Sequence, residues 1–216
     1  MTTEKNTYVF HQFEQRSEEW KQIRIGKIGG SEAIGLSTPA RMKSIIPLKM
    51  AEIETGEDQN SGFISDAMKE GIDKEPIVHA EYEKREFLKL EHKGYIENKR
   101  YKYLGISPDG LILTPDNNNV LGAIEIKCPQ PKGHIACIIE GKIPAEYRPQ
   151  VSHLFFILKN IEWVDFISYN EKVKSKPYFK IRVTREEWLP EIKKIEVGYS
   201  EYVKKIEANF KILKQL

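Results

Sequence analysis

The side chains with the clearest chemical potential lie in residues 107–129, which contain Ser-Pro-Asp-Gly-Leu-Ile-Leu before a polar turn and Gly-Ala-Ile-Glu-Ile-Lys-Cys-Pro after it. Two short apolar runs joined by proline, aspartate and asparagine predict a β-hairpin. If the hairpin is centred on Asn117, Asp109 lies directly opposite Glu125. Side chains alternate between the faces of a strand, so Lys127 shares a face with Glu125. The sequence therefore predicts two carboxylates and a lysine on one small patch of sheet.

This combination indicates metal-assisted hydrolysis of a phosphodiester. Adjacent carboxylates repel each other and resist ionisation, and a divalent cation removes that conflict. Mg²⁺ favours one or two carboxylates together with water and phosphate oxygens. A lysine beside Asp109 and Glu125 can position the attacking water or offset charge on the phosphate. The alternative is an aspartate-glycine turn followed by an ordinary edge strand, but apolar residues on both sides of each charge favour a site.

At these positions the chain resembles the PD-(D/E)XK nucleases, with Pro108-Asp109 and Glu125-Ile126-Lys127 as the two halves of the motif. More narrowly, it resembles the phage lambda exonuclease branch, the alkaline exonucleases of viral recombination. The order and spacing of further segments agree with that branch up to about residue 160. These segments are Gln15 to Ala33, Gly71 to Glu75, Ser107, and Tyr147 to Val151.

The resemblance implies a role for each matching residue of the motif. Asp109, Glu125 and Glu75 would hold the metal, together with the backbone carbonyl of Ile126. Lys127 would orient or activate the attacking water. The expected cofactor is Mg²⁺, and Mn²⁺ is expected to substitute for it.

A second group of residues is implied to bind the substrate. By resemblance, Arg24, Ser31 and Ser107 would hold the 5′-phosphate of the resected strand, and Gln150 would line the active site and contact DNA or a metal-bound water. An arginine fork and hydroxyl donors suit a terminal phosphate. From the residues alone, Ser31 reads as the N-cap of a second helix after two glycines, and most such caps bind nothing.

The remaining pattern predicts the elements that must position these side chains. Apolar residues at helical spacing and alternating runs define helices and strands, and Thr184-Arg185-Glu186-Glu187 has the form of a capping box. The predicted elements are helices at about 65–91 and 144–159, strands at about 163–169 and 178–183, and a long C-terminal helix from about 184. We expect an α/β, restriction-endonuclease-like fold with a central mixed sheet flanked by helices, and a single nuclease domain over residues 1–216.

Composition narrows the class of protein. The chain has 34 basic and 32 acidic side chains and a net charge of +2, so a uniformly basic coat for nucleic acid is excluded. Any DNA binding must come from charge sorted onto one surface. No apolar run approaches the length of a membrane span, and residues 1–15 lack the pattern of a secretion signal. Two cysteines are too few for a disulfide framework. A cytoplasmic, phage- or prophage-encoded protein is expected.

The sequence and the resemblance together predict a Mg²⁺-dependent exonuclease on double-stranded DNA ends. It would digest the 5′ strand, release mononucleotides and leave a 3′ overhang for recombination by strand annealing. The resemblance further implies a single-strand annealing protein as partner and a homo-oligomer, a ring-shaped trimer. Two alternatives stay open: an endonuclease or junction-cleaving nuclease of the same fold, and a non-catalytic DNA-binding module.

Overall fold

The computed structural model describes residues 7–59, 66–116 and 119–215, with the backbone alone for residues 66–68. A short 3₁₀ helix covers Ala33–Leu36. The strands are β1 Tyr8–His11, β2 Tyr95–Asn98, β3 Gly110–Leu113, β4 Val120–Lys127, β5 Trp163–Tyr169 and β6 Tyr178–Thr184. The helices are α1 Glu18–Arg24, α2 Pro39–Thr55, α3 Asp66–Glu86, α4 Pro131–Glu140, α5 Arg148–Ile157 and α6 Arg185–Leu213.

The central sheet has four strands in the order β3-β4-β5-β6. β4 and β5 run parallel, and the outer pairs are antiparallel, so the sheet is mixed as predicted. A parallel pair needs a long crossover, which α4 and α5 supply between β4 and β5. β1 and β2 form a separate antiparallel pair.

The predicted hairpin is formed by β3 and β4. Gly110 pairs with Ile124, so the register carried back by one residue sets Asp109 opposite Glu125, as expected. An irregularity after Ile112 shifts the pairing near the turn without disturbing the end that carries the charges. The predicted turn centre, Asn117, lies outside the described residues.

Each face of the sheet packs against helices. Ala123 on one face of β4 belongs to the larger core, which includes most of α5 and the inner side of α6. Ile124 and Ile126 on the other face pack with Val78 and Tyr82 of α3. The alternation along β4 therefore directs Glu125 and Lys127 to the same side as Ala123.

The C-terminal helix begins where the capping box predicts. The Thr184 hydroxyl accepts a hydrogen bond from the Glu187 N–H at 3.3 Å, and the Glu187 carboxylate accepts one from the Thr184 N–H at 2.9 Å. Trp188, Ile192 and Ile195 are buried in the larger core, where Trp188 donates to Ser152 of α5, so this helix packs back against α5. Among the described helices, none is long and apolar enough to cross a membrane.

The prediction that Ser31 caps a second helix is wrong. Residues after Gly29 form a turn that continues into the short 3₁₀ helix, and Glu32 occupies its cap position. The Glu32 carboxylate accepts the Gly29 N–H at 3.0 Å and stabilises this tight turn. The next α-helix starts only after Thr38, whose hydroxyl accepts the Arg41 N–H at 3.3 Å.

Candidate active site

The end of the hairpin brings together the carboxylates predicted from the motif. Asp109 lies one residue before β3, and its Oδ2 accepts a hydrogen bond from the Ile126 N–H at 2.6 Å. Glu125 is only 2% exposed and accepts a hydrogen bond from Lys127 Nζ at 2.5 Å. The backbone N–H of Ile126 thus orients Asp109, and the lysine two residues along β4 orients Glu125.

Glu75 reaches the same place from α3, although it lies far away in the sequence. Its charge interacts with those of Asp109 and Lys127. Arg16 Nη2 approaches Glu75 Oε2 at 3.5 Å, and His79 Nε2 lies 3.9 Å from the other oxygen. We name Asp109, Glu125, Lys127 and Glu75 the carboxylate patch.

The electrostatics of the carboxylate patch are unfavourable for three negative charges. Burial raises the pKa of Glu125 to about 8, with Asp109 and Glu75 adding repulsion and Lys127 opposing the shift. Burial also raises the pKa of Asp109 against the effect of Lys127, and burial followed by the Asp109 charge raises the pKa of Glu75. Burial alone would lower the pKa of Lys127, but the neighbouring carboxylates raise it. Shifts of this kind, caused by burial and like charges, cluster at functional sites.

The donor set fits a hard divalent cation in its chemistry. The Ile126 N–H points at Asp109, and the carbonyl of the same residue points to the same edge of β4, beyond the start of β3. Carboxylate and carbonyl oxygens are the ligands that Mg²⁺ prefers. Within the described residues, no three histidine, cysteine or acidic side chains already form a metal-binding group. A cation would therefore have to draw the carboxylates together and take part of its shell from water or substrate.

Arg24 and Ser107, which the resemblance predicts to hold a phosphate, meet at the indole of Trp20. After that expectation we name Arg24, Ser107 and Trp20 the phosphate pocket. The Trp20 Nε1–H donates to Ser107 Oγ at 2.8 Å and to the Gly94 carbonyl at 3.0 Å. The Arg24 guanidinium lies 3.9 Å from the centre of the indole ring. Trp20 therefore holds an arginine and a hydroxyl from distant parts of the chain side by side.

The loop that carries Ser31 passes between Arg24 and Gln150. A Cβ atom placed on Gly29 would lie 3.3 Å from Arg24 Nη2, and one placed on Gly30 would lie 3.2 Å from Gln150 Cγ. Side chains at these two positions would crowd both groups. Ser31 follows directly and is exposed, and the structure describes no hydrogen bond from it to Arg24.

A buried ion network anchors this loop. Lys49 of α2 is 3% exposed, and its Nζ lies 2.7 Å from Glu32 and 3.0 Å from Glu52. Glu52 also accepts the Gly26 N–H at 2.8 Å. The network thus fixes both ends of the turn between Arg24 and Ser31.

Gln150 connects the phosphate pocket to the carboxylate patch. It lies in the first turn of α5 and donates its N–H to the Tyr147 carbonyl at 3.1 Å. The Tyr147 ring lies 5.5 Å from Lys127 Nζ. One turn of chain therefore reaches from Gly30 on one side to Lys127 on the other.

Four residues that contribute to the site escaped the sequence reasoning. Lys49 and Glu52 occupy positions of the apolar stripe of α2 that includes Met42, Ile45 and Ile46, and two charges on such a stripe are the signal that could have revealed the network. Trp20 belongs to a segment that carries the resemblance, but no pattern predicts its two hydrogen-bond partners. Arg16 belongs to the same segment, but its approach to Glu75 depends on tertiary structure and no local pattern predicts it.

The comparison with protein families identifies the chain. A family described as the YqaJ-like viral recombinase domain matches residues 19–157. The chain belongs to this family. The matched range contains both the carboxylate patch and the phosphate pocket. Among curated proteins, no sequence matches the chain.

Solved exonuclease structures share the fold. LHK-Exo, an alkaline exonuclease from Laribacter hongkongensis, is 30% identical with a TM-score of 0.79 over 92% of this chain and 97% of that one. LHK-Exo in complex with dAMP matches with 29% identity, the same TM-score of 0.79 and the same coverage of 92% and 97%. A phage-related exonuclease from Haemophilus somnus 129PT shares the fold alone, at 13% identity and a TM-score of 0.54 over 85% of this chain and 96% of its own. The expected restriction-endonuclease-like fold and the resemblance to the lambda exonuclease branch are confirmed.

Proposed function

We propose that this family member is a Mg²⁺-dependent exonuclease that digests linear double-stranded DNA from its 5′ ends. Membership of the viral recombinase family and likeness to an alkaline exonuclease support the broader conclusion, a DNA exonuclease. The observation that carries the finer proposal is the junction at Gln150. There a buried carboxylate–lysine patch adjoins a pocket that contains an arginine and a hydroxyl.

In this proposal Asp109, Glu125 and Glu75 hold the cation, together with the carbonyl of Ile126. Bound Mg²⁺ supplies a Lewis acid for the phosphate and lowers the pKa of a water molecule. Lys127, whose raised pKa keeps it protonated, orients the water and offsets charge that develops on the phosphate.

The phosphate pocket supports the proposed polarity. The Arg24 guanidinium can donate to a terminal 5′-phosphate, and Ser31 lies on the loop beside it. The Ser107 hydroxyl donates to the Gly94 carbonyl at 2.8 Å and would have to turn away from that acceptor to donate to the phosphate. Gln150 would then contact the first nucleotide between pocket and patch. LHK-Exo has been crystallised with dAMP, which supports release of nucleoside 5′-monophosphates. The 3′ overhang left behind would serve an annealing protein, and a ring-shaped trimer is proposed as the working assembly.

The deciding experiment compares three substrates with Mg²⁺ or with EDTA. These are a linear duplex with 5′-phosphates, the same duplex without them, and a closed circle. We expect mononucleotides from linear DNA only, faster with a 5′-phosphate, and no products in EDTA. Cutting of the circle would instead support an endonuclease, and no cutting of any substrate would leave a DNA-binding module.

A matched pair of variants on α3 tests the proposed ligand set. Glu75→Gln removes the charge that faces Asp109, whereas Asp73→Asn removes an exposed charge two residues away. We expect Glu75→Gln to raise the Mg²⁺ concentration needed for half-maximal cleavage by at least about tenfold, since a missing carboxylate lowers cation affinity. Wild-type Mg²⁺ dependence in Glu75→Gln would remove Glu75 from the ligand set.

A further inference from the structure

A cleft of about 490 Å³ opens beside the carboxylate patch. The segment of residues 12–16 forms one wall, α3 forms the opposite wall with Glu75 and His79, and the chain from His92 to Gly94 closes the end. The Gly94 carbonyl is the same group that accepts the Trp20 N–H. The cleft therefore shares Glu75 with the carboxylate patch and adjoins the phosphate pocket at Gly94, and its other lining residues belong to neither.

Arg16 in this cleft has a costly backbone conformation. Its φ is 74°, in the left-handed region, and among the described residues Phe87 is the other non-glycine residue with positive φ. Glycine adopts this region freely, whereas a long side chain does not. Strained backbone of this kind persists mainly where a side chain serves a function.

The guanidinium of Arg16 has donors to spare. Its single described ion pair, to Glu75, is long at 3.5 Å, and its side chain is 44% exposed. A guanidinium carries five N–H donors in a planar fork that matches phosphate oxygens. Arg16 thus lines the cleft beside Glu75 with a half-exposed side chain.

The other groups of the cleft include more donors. Lys93, whose side chain is 22% exposed, contributes an ammonium that pairs with Glu91 at 3.2 Å. The His92 ring packs against His79 with centroids 4.6 Å apart. The His79 Nε2 atom is buried and has no hydrogen-bond partner in the described part of the chain. Two acids, Glu14 and Glu75, also line the cleft, and Arg16 pairs with the second. A ligand rich in hydrogen-bond acceptors, such as a phosphodiester, matches the donors of this cleft.

We propose that this cleft binds the phosphodiester backbone of the DNA strand next to the scissile phosphate, and that Arg16 is the residue that contacts it. The inference rests on the proposed exonuclease function. It extends the substrate site beyond the terminal phosphate pocket. It also accounts for an arginine where the backbone favours glycine.

The test uses Arg16→Gly and Arg16→Lys with Phe87→Gly as the matched control. Glycine suits a positive φ, so the first variant is expected to fold, and Phe87→Gly makes the same backbone change away from the cleft. Affinity for a 5′-phosphorylated duplex is measured in EDTA across salt concentrations, and KM and kcat in Mg²⁺. We expect Arg16→Gly to raise Kd and KM about 3- to 10-fold and to reduce the salt slope by about 1. The Kd, KM and salt slope of Arg16→Lys should lie between those of the wild type and Arg16→Gly. Phe87→Gly should match the wild type in all three.

A wild-type salt slope and KM in Arg16→Gly, with any loss confined to kcat, would overturn the proposal, because Arg16 would then only position Glu75. Equal effects in Phe87→Gly would overturn it as well, since they would reflect the backbone. If the wild-type protein cleaves no DNA, the proposed function fails. In that case the binding measurements in EDTA still test whether Arg16 in the cleft contacts DNA.

Discussion

Glu125 and Asp165 are buried acids on neighbouring strands of one sheet, and their surroundings differ. Asp165 on β5 is fully buried and accepts hydrogen bonds from Arg182 Nε and Nη2, both at 2.7 Å, and from the Tyr82 hydroxyl at 2.7 Å. Glu125 on β4 has one described cationic partner, Lys127, and two repelling neighbours. One acid is neutralised by the chain itself, and the other is not.

The difference separates a structural charge from a functional one. The Tyr82 hydroxyl of α3, the helix that carries Glu75, donates to Asp165 of β5. This hydrogen bond helps to position the site from the opposite face of the sheet. The carboxylate patch keeps repelling charges that destabilise the fold. A buried charge without sufficient partners in the chain indicates a partner from solution.

Asp109→Ala should remove hydrolysis and leave the fold intact. We expect hydrolysis of linear duplex to fall at least about 10³-fold, because a missing ligand removes several kcal/mol of stabilisation from the transition state. End binding should persist, and the free energy of unfolding in EDTA should stay equal or rise as repulsion is relieved. Single-turnover cleavage and urea titration measure the two quantities. Retained cleavage would exclude Asp109 from the chemistry.

Asp165→Ala should instead destabilise the fold. Its removal leaves Arg182 and Tyr82 without their acceptor, and we expect a loss of about 3 kcal/mol in the free energy of unfolding. Urea titration in EDTA measures this loss. The comparison is sharpest in this contrast: the free energy of unfolding should fall in Asp165→Ala and should not fall in Asp109→Ala. A loss below about 1 kcal/mol would show that the ion pair contributes little.

The pH dependence of stability should report the titration of the buried Glu125 carboxyl. Without metal, its pKa is raised from 4.5 to about 8, so the folded protein keeps a proton that the unfolded chain releases. The free energy of unfolding should therefore fall as pH rises from about 5 to 8 and level off above, by on the order of a few kcal/mol. Urea titrations in EDTA at several pH values test this.

Two changes should flatten that pH profile. Glu125→Gln removes the titrating group, and Mg²⁺ stabilises the ionised form by binding to it. An unchanged slope in Glu125→Gln would assign the effect to other groups.

Trp20→Phe should produce the smallest effect. It keeps an aromatic ring beneath Arg24 but removes the N–H that holds Ser107 and Gly94. We expect the preference for 5′-phosphorylated ends to fall about fivefold, or about 1 kcal/mol. Competition between phosphorylated and unphosphorylated duplexes measures it.

Trp188→Phe is the matched control for that change. It removes an indole N–H bonded to Ser152 Oγ at 2.9 Å in the core, away from the pocket. An equal loss of end preference in both variants would assign the effect to stability rather than to the pocket.

Local pattern was sufficient to predict the four strands of the central sheet, the helices α3, α5 and α6, and the charged end of the hairpin. It did not predict β1, β2 or α4. The opposition of Asp109 and Glu125 follows from strand alternation around one turn, and the start of α6 follows from Thr184 and Glu187. Ser31 was assigned wrongly, because Glu32 and Lys49 stabilise a turn that no local rule anticipates. The proximity of Glu75 to Asp109 was implied by resemblance and not by spacing.

The sequence by itself determined which residues share a strand face, where the long terminal helix begins and which chemistry the motif can support. These properties depend on neighbours within a few positions, where covalent geometry limits the choices. Tertiary structure alone decided which charges are neutralised. Asp165 meets Arg182 and Tyr82, Glu125 meets two other acids, and Arg16 reaches α3 from a strained turn. Charge balance in the interior is set by groups that distant segments bring together, and burial strengthens each electrostatic interaction between them.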